Sequence, residues 1–184
     1  MLPDNQSLDD LLGQAPGAVL AWVRHHHAAI HCNQDWQDLA YTSSSTAAIN
    51  PDLCDDEVLT WVTVAVLVYD RLGEVCPEPS DRYRFTTSGM SFRAFAISKF
   101  GPQPGHPVRD PAILENWFFQ RLVIPYADAV SMSKNLSNLS TEDFLRISSL
   151  KDCIRLMKCV QPQELFCRTE ELNRWFELLD TSSG

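Results

Sequence analysis

Glycine is scarce in this sequence, and so are the motifs that depend on it. Only seven glycines occur among 184 residues, and none belongs to a glycine-rich loop of the kind that surrounds phosphates. No Gly-x-Ser-x-Gly turn is present to expose a nucleophilic serine. The sequence therefore contains neither a recognisable nucleotide-binding loop nor the nucleophile motif of a serine hydrolase.

Long apolar runs and export signals are also absent from the sequence. The longest apolar stretch, residues 61–69, is far shorter than the ~20 residues that a membrane-spanning helix needs. The opening residues, MLPDNQSLDDLL, contain neither the basic region nor the apolar core of a secretory signal. We therefore predict a cytoplasmic protein that does not associate with membranes.

The six cysteines form no Cys-x-x-Cys pair, which excludes the zinc-ribbon, iron–sulfur and thioredoxin patterns. Because no export signal is recognised, we expect all six to be free thiols in a reducing compartment. The residues concerned are Cys32, Cys54, Cys76, Cys153, Cys159 and Cys167.

Basic residues are rare in the first third of the chain. Residues 1–60 contain nine carboxylates and one arginine, so they contribute 1 − 9 = −8 of the net charge of −9. Such a surface repels nucleic acid and attracts a protein with a basic surface. We therefore predict an acidic face that binds another protein, and its candidate residues are Asp9, Asp10, Asp35, Asp38, Asp55 and Asp56.

Acidic residues, in turn, are missing from residues 82–109, where cations alternate with aromatic residues. This composition is compatible with a contact to single-stranded nucleic acid, or with docking onto the acidic third of the same or a second copy. We favour a third interpretation, in which the aromatic side chains are core and the cations face solvent. Nucleic-acid binding is expected nowhere else, and the candidates for contact with an anion or a partner are Arg82, Arg84, Arg93 and Lys99.

Four of the five histidines lie within residues 25–31. If His27 and His31 share one helix, their four-residue spacing lets both imidazoles reach one metal ion, and zinc is the candidate. A structural zinc site needs four ligands, and only these two can be named. We therefore favour histidines at a boundary between core and solvent, and we predict neither catalytic residues nor a cofactor.

Hydrophobic periodicity predicts one all-α domain, a compact bundle of about six to eight helices. A buried central helix is predicted at residues 55–72, because it is apolar on almost every side, and Gly73 is its expected stop. Residues 42–46 are predicted to be a loop. Residues 74–110 are expected to be irregular and are the candidate hinge between two subdomains. Within this segment we predict an edge strand at residues 83–87 and either a helix or a hairpin at residues 88–100.

Three further helices are predicted in the second half of the chain. They span residues 110–136 with a restart at Pro125, residues 140–160, and residues 162–179 with a heptad-like apolar stripe.

These observations favour a protein-binding module without enzymatic activity, such as an inhibitor, an immunity-type protein, an adaptor or a regulatory subunit. One alternative is a helical metal- or cofactor-dependent enzyme that uses the His25–His31 cluster. Another is a structural subunit whose last helix packs on a partner, and a homo-oligomer is compatible with either binding role.

Overall fold

All regular secondary structure in the described part of the chain is helical. The computed structural model describes residues 2–123 and 140–180. Its eight α-helices are α1 (Leu8–Leu12), α2 (Pro16–His25), α3 (Gln34–Ile49), α4 (Asp55–Val75), α5 (Pro79–Phe100), α6 (Pro111–Phe118), α7 (Thr141–Cys159) and α8 (Thr169–Asp180). Short 3-10 turns and a π-helical turn (Phe119–Val123) lie between them. The predicted all-α bundle is confirmed, and the predicted helix beyond Pro125 to Leu136 lies outside the described residues.

Polar side chains cap several of these helices. The side chains of Ser7, Asn33, Asp110 and Ser140 each accept a hydrogen bond from a backbone N–H in the first turn of α1, α3, α6 and α7. Glu57 caps α4 in the reverse sense, because its carboxylate accepts a hydrogen bond from the Cys54 N–H at 3.0 Å. Each of these contacts satisfies a backbone donor that would otherwise lack a partner.

Helix α4 is the centre of the bundle, as predicted. Its buried residues lie on all sides, because α2, α3 and α5 surround it. The helix continues past Gly73 to Val75, so the expected stop at Gly73 is wrong. The glycine is needed for packing instead, since a Cβ at position 73 would lie 2.7 Å from Thr86 Oγ1 on α5.

Residues 79–100 form one continuous helix, so the predicted irregular segment with an edge strand at 83–87 is wrong there. Pro79 begins α5 at a position where its fixed φ favours helix. One side of α5 contributes Phe85 to the cluster around α1–α4, and another side contributes Met90 to the cluster around α6–α8. Because α5 packs on two sides, its apolar residues do not form the single stripe by which an amphipathic helix is recognised in a sequence.

The predicted loop at residues 42–46 is also helical and belongs to α3. Ser43 and Ser44 are buried. The Ser44 hydroxyl donates to the Tyr41 carbonyl at 2.9 Å and lies 3.3 Å from the Tyr69 hydroxyl on α4. Small hydroxyl side chains thus allow α3 to pack closely on α4.

Two of the six cysteines are bonded to each other, so the expectation of six free thiols is wrong. Cys32, before α3, and Cys76, after α4, form a disulfide with their Cα atoms 5.0 Å apart. The bond places the beginning of α3 beside the end of α4, so the two helices are antiparallel. The other four cysteines are free. No helix in the described ranges combines the length and the apolar character needed to cross a membrane.

Candidate functional site

The predicted acidic residues lie near the beginnings of three helices and do not form one face. Asp35 lies in the first turn of α3 and Asp38 follows it, so both lie near the disulfide and the end of α4. Asp55 and Asp56 lie at the opposite end, in the first turn of α4. Because α4 has 21 residues, roughly 30 Å separates the two groups at ~1.5 Å per residue.

The carboxylates also differ in their partners. Asp55 and Asp56 are both exposed, and Asp55 lies 3.5 Å from the Lys99 ammonium. Asp9 and Asp10 are exposed at the start of α1, where Asp10 accepts a hydrogen bond from the Ser7 hydroxyl at 2.6 Å. Within the described residues, Asp9, Asp10, Asp38 and Asp56 form no ion pair with a lysine or arginine. Much of the negative charge of the first third is therefore not neutralised inside the fold.

Three of the four predicted cations are engaged by other parts of the protein. Arg93 is buried and bound to Asp70, and Lys99 faces Asp55. Arg84 is exposed, lies 3.1 Å from Asp81, and has its guanidinium 4.5 Å from the centre of the Phe85 ring. Arg82 is half-buried and lines a separate cavity between α5 and α7.

Asp70, which is not among the predicted site residues, forms the most deeply buried ion pair in the described part of the fold. Arg93 donates through Nη1 to Asp70 Oδ1 at 2.7 Å and through Nη2 to Asp70 Oδ2. Its Nε donates to the Pro107 carbonyl at 3.2 Å, and its guanidinium lies 5.2 Å from the centre of the Trp117 ring. Burial raises the pKa of the Asp70 carboxyl, and the guanidinium opposes that shift. The pair connects α4 and α5 to the loop that precedes α6, which is a structural role.

The histidine cluster does not have the geometry that a shared metal site requires. Helix α2 ends at His25, and His27 begins a separate 3-10 turn, so His27 and His31 do not lie on one helix. The His31 ring contacts the Ala29 carbonyl at 2.9 Å and the Asn33 amide at 2.9 Å. Among the residues that the structure describes, no group of three His, Cys, Asp or Glu side chains is placed to hold a metal ion.

The cleft between α3 and α5 combines an acidic residue with an exposed aromatic one. It has a volume of about 250 Å³, and α4 contributes Tyr69 to it. Its lining consists of Gln34, Gln37, Asp38, Tyr41, Tyr69, Arg84, Phe85 and Ser88. The Tyr41 side chain is 68% exposed at this cleft.

Hydrogen bonds hold the polar side chains of this cleft in place. Gln34 donates to Asp38 at 2.7 Å, and Arg84 donates to Gln37 at 3.3 Å across the space between α3 and α5. Burial raises the pKa of the Tyr69 phenol, and the hydrogen bond with the Ser44 hydroxyl opposes that shift. The cleft thus presents one carboxylate, one guanidinium, two amides and an exposed tyrosine on fixed helices.

Part of this site was visible in the sequence. Asp38 was identified from charge alone, but Tyr41 and the two glutamines were not. Residues 34, 37, 38 and 41 follow the i, i+3, i+4, i+7 spacing of one helix face. A tyrosine on an otherwise polar face was the available signal.

Comparisons with known proteins identify no relative of this chain. No family model matches it, and neither a curated protein nor a solved structure is significantly similar to it.

Proposed function

We propose that this protein is a protein-binding module that acts by occupying a partner, as an inhibitor, an immunity-type protein, an adaptor or a regulatory subunit. We further propose that a basic side chain of the partner enters the cleft between α3 and α5 and pairs with Asp38. The partner therefore has a basic surface at its point of contact.

The exposure of Tyr41 beside Asp38 is the observation that carries this proposal. Tyrosine and arginine are enriched among the residues that dominate binding energy in protein interfaces, and Tyr41 and Arg84 both line the cleft. Tyr41 leaves most of its ring in solvent, and Asp38 has no cationic partner among the described residues. A partner that covers the ring and supplies a cation satisfies both groups.

The size of the cleft favours a protein partner over a small molecule. At about 250 Å³ it is smaller than the ~300–1,000 Å³ typical of small-molecule sites. A cleft of this size accommodates a side chain that projects from a larger surface. The negative charge of residues 1–60 then accelerates encounter with a basic partner.

The other interpretations of the sequence have less support. For the alternative enzyme, the zinc site at His27 and His31 was predicted on one helix, and these two residues do not share a helix. The structural subunit required a free apolar stripe on the last helix, but Leu172 is buried and Trp175 packs against the core. Cytoplasmic location remains a prediction, and the accompanying expectation of six free thiols fails at Cys32 and Cys76.

Photo-crosslinking from two positions of α3 tests the proposal. A photoreactive phenylalanine analogue replaces Tyr41 in one variant and Ile49 in the other, and both variants are expressed in the native host. Ile49 is the matched control, because it is 78% exposed at the last position of the same helix and does not line the cleft. We expect one stoichiometric protein adduct from position 41 and none from position 49.

Binding kinetics with the purified partner then test the individual residues. Tyr41→Ala should weaken binding about tenfold or more, since hot-spot truncations cost at least ~1–2 kcal/mol. Asp35→Asn with Asp38→Asn should slow association and reduce its salt dependence, whereas Asp55→Asn with Asp56→Asn should not. Equal crosslinking from both positions, or unchanged affinity of Tyr41→Ala, contradicts the proposed site.

A further inference from the structure

The Cys32–Cys76 disulfide lies at one end of the cleft between α3 and α5. Cys32 comes just before α3, and Cys76 comes just before α5. The residues that line the cleft follow near the beginning of each helix, and they are Gln34, Gln37, Asp38 and Tyr41 on α3 and Arg84, Phe85 and Ser88 on α5. The bond therefore joins the two segments from which the walls of the cleft begin.

One side chain connects the disulfide to both walls of the cleft. Gln37 donates from its amide nitrogen to the Cys32 sulfur at 3.8 Å. The amide oxygen of Gln37 accepts a hydrogen bond from Arg84 Nη2 at 3.3 Å. Because Gln37 belongs to α3 and Arg84 to α5, the amide that bridges the cleft is held in part by the disulfide sulfur.

The two walls differ in how firmly they are anchored without the disulfide. Trp36, in the first turn of α3, is fully buried, and its backbone N–H donates to the Asn33 side chain at 3.1 Å. At the beginning of α5, Pro77 and Glu78 are exposed, and the first buried residue of the helix is Tyr83. Cleavage of the disulfide should therefore release the beginning of α5, while α3 stays packed on α4.

The disulfide is open to attack by thiols. Cys32 is partly exposed, whereas Cys76 is only 2% exposed, so Cys32 carries the accessible sulfur. Cys54, Cys159 and Cys167 are exposed free thiols. Exposed free thiols are typical of compartments in which reductants keep cysteines reduced, and the disulfides found there are usually transient, catalytic or redox-sensing.

We propose that the Cys32–Cys76 disulfide is a redox switch for the cleft between α3 and α5. The oxidised form holds the two walls in the geometry that binds the partner, and the reduced form does not. This inference rests on the proposed function, because it regulates the cleft to which we assign the protein partner.

The switch operates by exchange with a small thiol such as glutathione. Its thiolate attacks Cys32 Sγ and forms a mixed disulfide, and the bond to Cys76 breaks, so that Cys76 leaves as a thiolate and takes up a proton. A second thiolate then attacks the sulfur of the first reductant molecule, and Cys32 leaves and is protonated in turn. The two small thiols are oxidised to one disulfide, and Cys32 and Cys76 are reduced to thiols.

Hydrogen–deuterium exchange in glutathione buffers tests the switch without a partner. Alkylation followed by mass spectrometry measures the fraction of Cys32 and Cys76 that is reduced in each buffer. We expect excess reduced glutathione to open the bond. Exchange should then become roughly tenfold faster at residues 82–88, the α5 wall, and stay unchanged at residues 62–68 in the centre of α4.

Two variants are the matched controls for this experiment. Cys32→Ser with Cys76→Ser lacks the bond, so it should exchange like reduced protein in every buffer. Cys54→Ser with Cys159→Ser keeps the bond and removes two exposed free thiols, so it should respond to glutathione as the wild-type protein does.

Binding of the partner captured from position 41 completes the test. Apparent affinity falls in proportion to the fraction of protein in the binding-competent state, so a cleft that is formed only about one tenth of the time binds about tenfold more weakly. We expect this loss on reduction of the wild-type protein. Cys32→Ser with Cys76→Ser should bind equally weakly and should not respond to glutathione.

The outcomes that overturn the switch differ from those that overturn the proposed function. A bond that resists excess reduced glutathione, or exchange at residues 82–88 that is equal in both redox states, refutes the switch. Faster exchange in α4 as well means that reduction unfolds the whole protein, which also refutes it. Equal partner binding in both states refutes the switch and leaves the proposed function intact. No adduct from position 41 in either state refutes the proposed function, and the regulation of it fails as well.

Discussion

Replacement of Arg93 by methionine should destabilise this protein strongly, because it leaves the Asp70 carboxylate buried without its partner. The Arg93 side chain is only 4% exposed and holds both carboxylate oxygens of Asp70. Removing one member of such a pair typically costs about 3–5 kcal/mol. That cost is a large part of the ~5–15 kcal/mol by which most domains are stable.

The loss of stability in Arg93→Met should also depend on pH, and the environment of Asp70 determines whether it grows or shrinks as the pH rises. Burial raises the pKa of the Asp70 carboxyl, and without the guanidinium that shift is no longer opposed. A carboxyl whose pKa is higher in the folded than in the unfolded state favours folding below the unfolded pKa of ~3.9. That contribution is lost as the pH rises through the folded pKa, so the deficit should increase from about pH 4 towards neutrality.

Urea unfolding, followed by circular dichroism at about pH 4 and about pH 7, measures this difference. Asp70→Leu combined with Arg93→Met is one control, since replacing both charges by apolar groups should restore most of the stability. Arg84→Met is the other control, because Arg84 is exposed and should cost no more than ~1 kcal/mol. A loss below ~1 kcal/mol for Arg93→Met, or an equal loss at both pH values, would refute the reasoning.

Two predictions concern the cysteines. Burial raises the pKa of the Cys153 thiol to about 12, so a thiol reagent should label Cys153 only after unfolding. Mass spectrometry should instead detect rapid labelling of the exposed thiols Cys54, Cys159 and Cys167 in the folded protein. Rapid labelling of Cys153 in the folded protein would contradict its burial. Replacing Cys32 and Cys76 by serine opens a loop with a sequence separation of 44 residues, so the free energy of unfolding from urea titration should fall by about 4 kcal/mol. An unchanged value under non-reducing conditions would show that the disulfide does not form in solution.

The central helix α4 could be predicted from the sequence, because it is surrounded completely. Helix α4 is apolar in every direction, and acidic residues occupy its first turn, so both its burial and its start followed from the pattern. Helix α5 could not be predicted as a whole, since Phe85 and Met90 pack into different clusters. Its apolar residues are therefore spread around the helix and follow neither the periodicity of an amphipathic helix nor that of a strand.

The contacts that fix the packing of α3, α4 and α5 join segments distant in sequence. The Cys32–Cys76 bond and the Asp70–Arg93 pair join residues 44 and 23 positions apart. Nothing in the local sequence indicates either pairing. Charge alone identified Asp38 and Arg82 as candidates, but only the fold shows that Asp38 borders an exposed tyrosine and that Arg82 faces a cavity with two other arginines.

The antiparallel arrangement of α3 and α4 changes what the acidic first third means for binding. Roughly 30 Å of helix separates Asp35 and Asp38 from Asp55 and Asp56, and exposed charges are largely screened beyond ~8 Å at physiological salt. The acidic residues therefore form at least two electrostatically independent surfaces. At the α4 end, Lys99 lies within 3.5 Å of Asp55, which reduces the local charge. At the α3 end, Asp38 lies beside an open cleft and an exposed tyrosine. For this reason we place the partner at the α3 end.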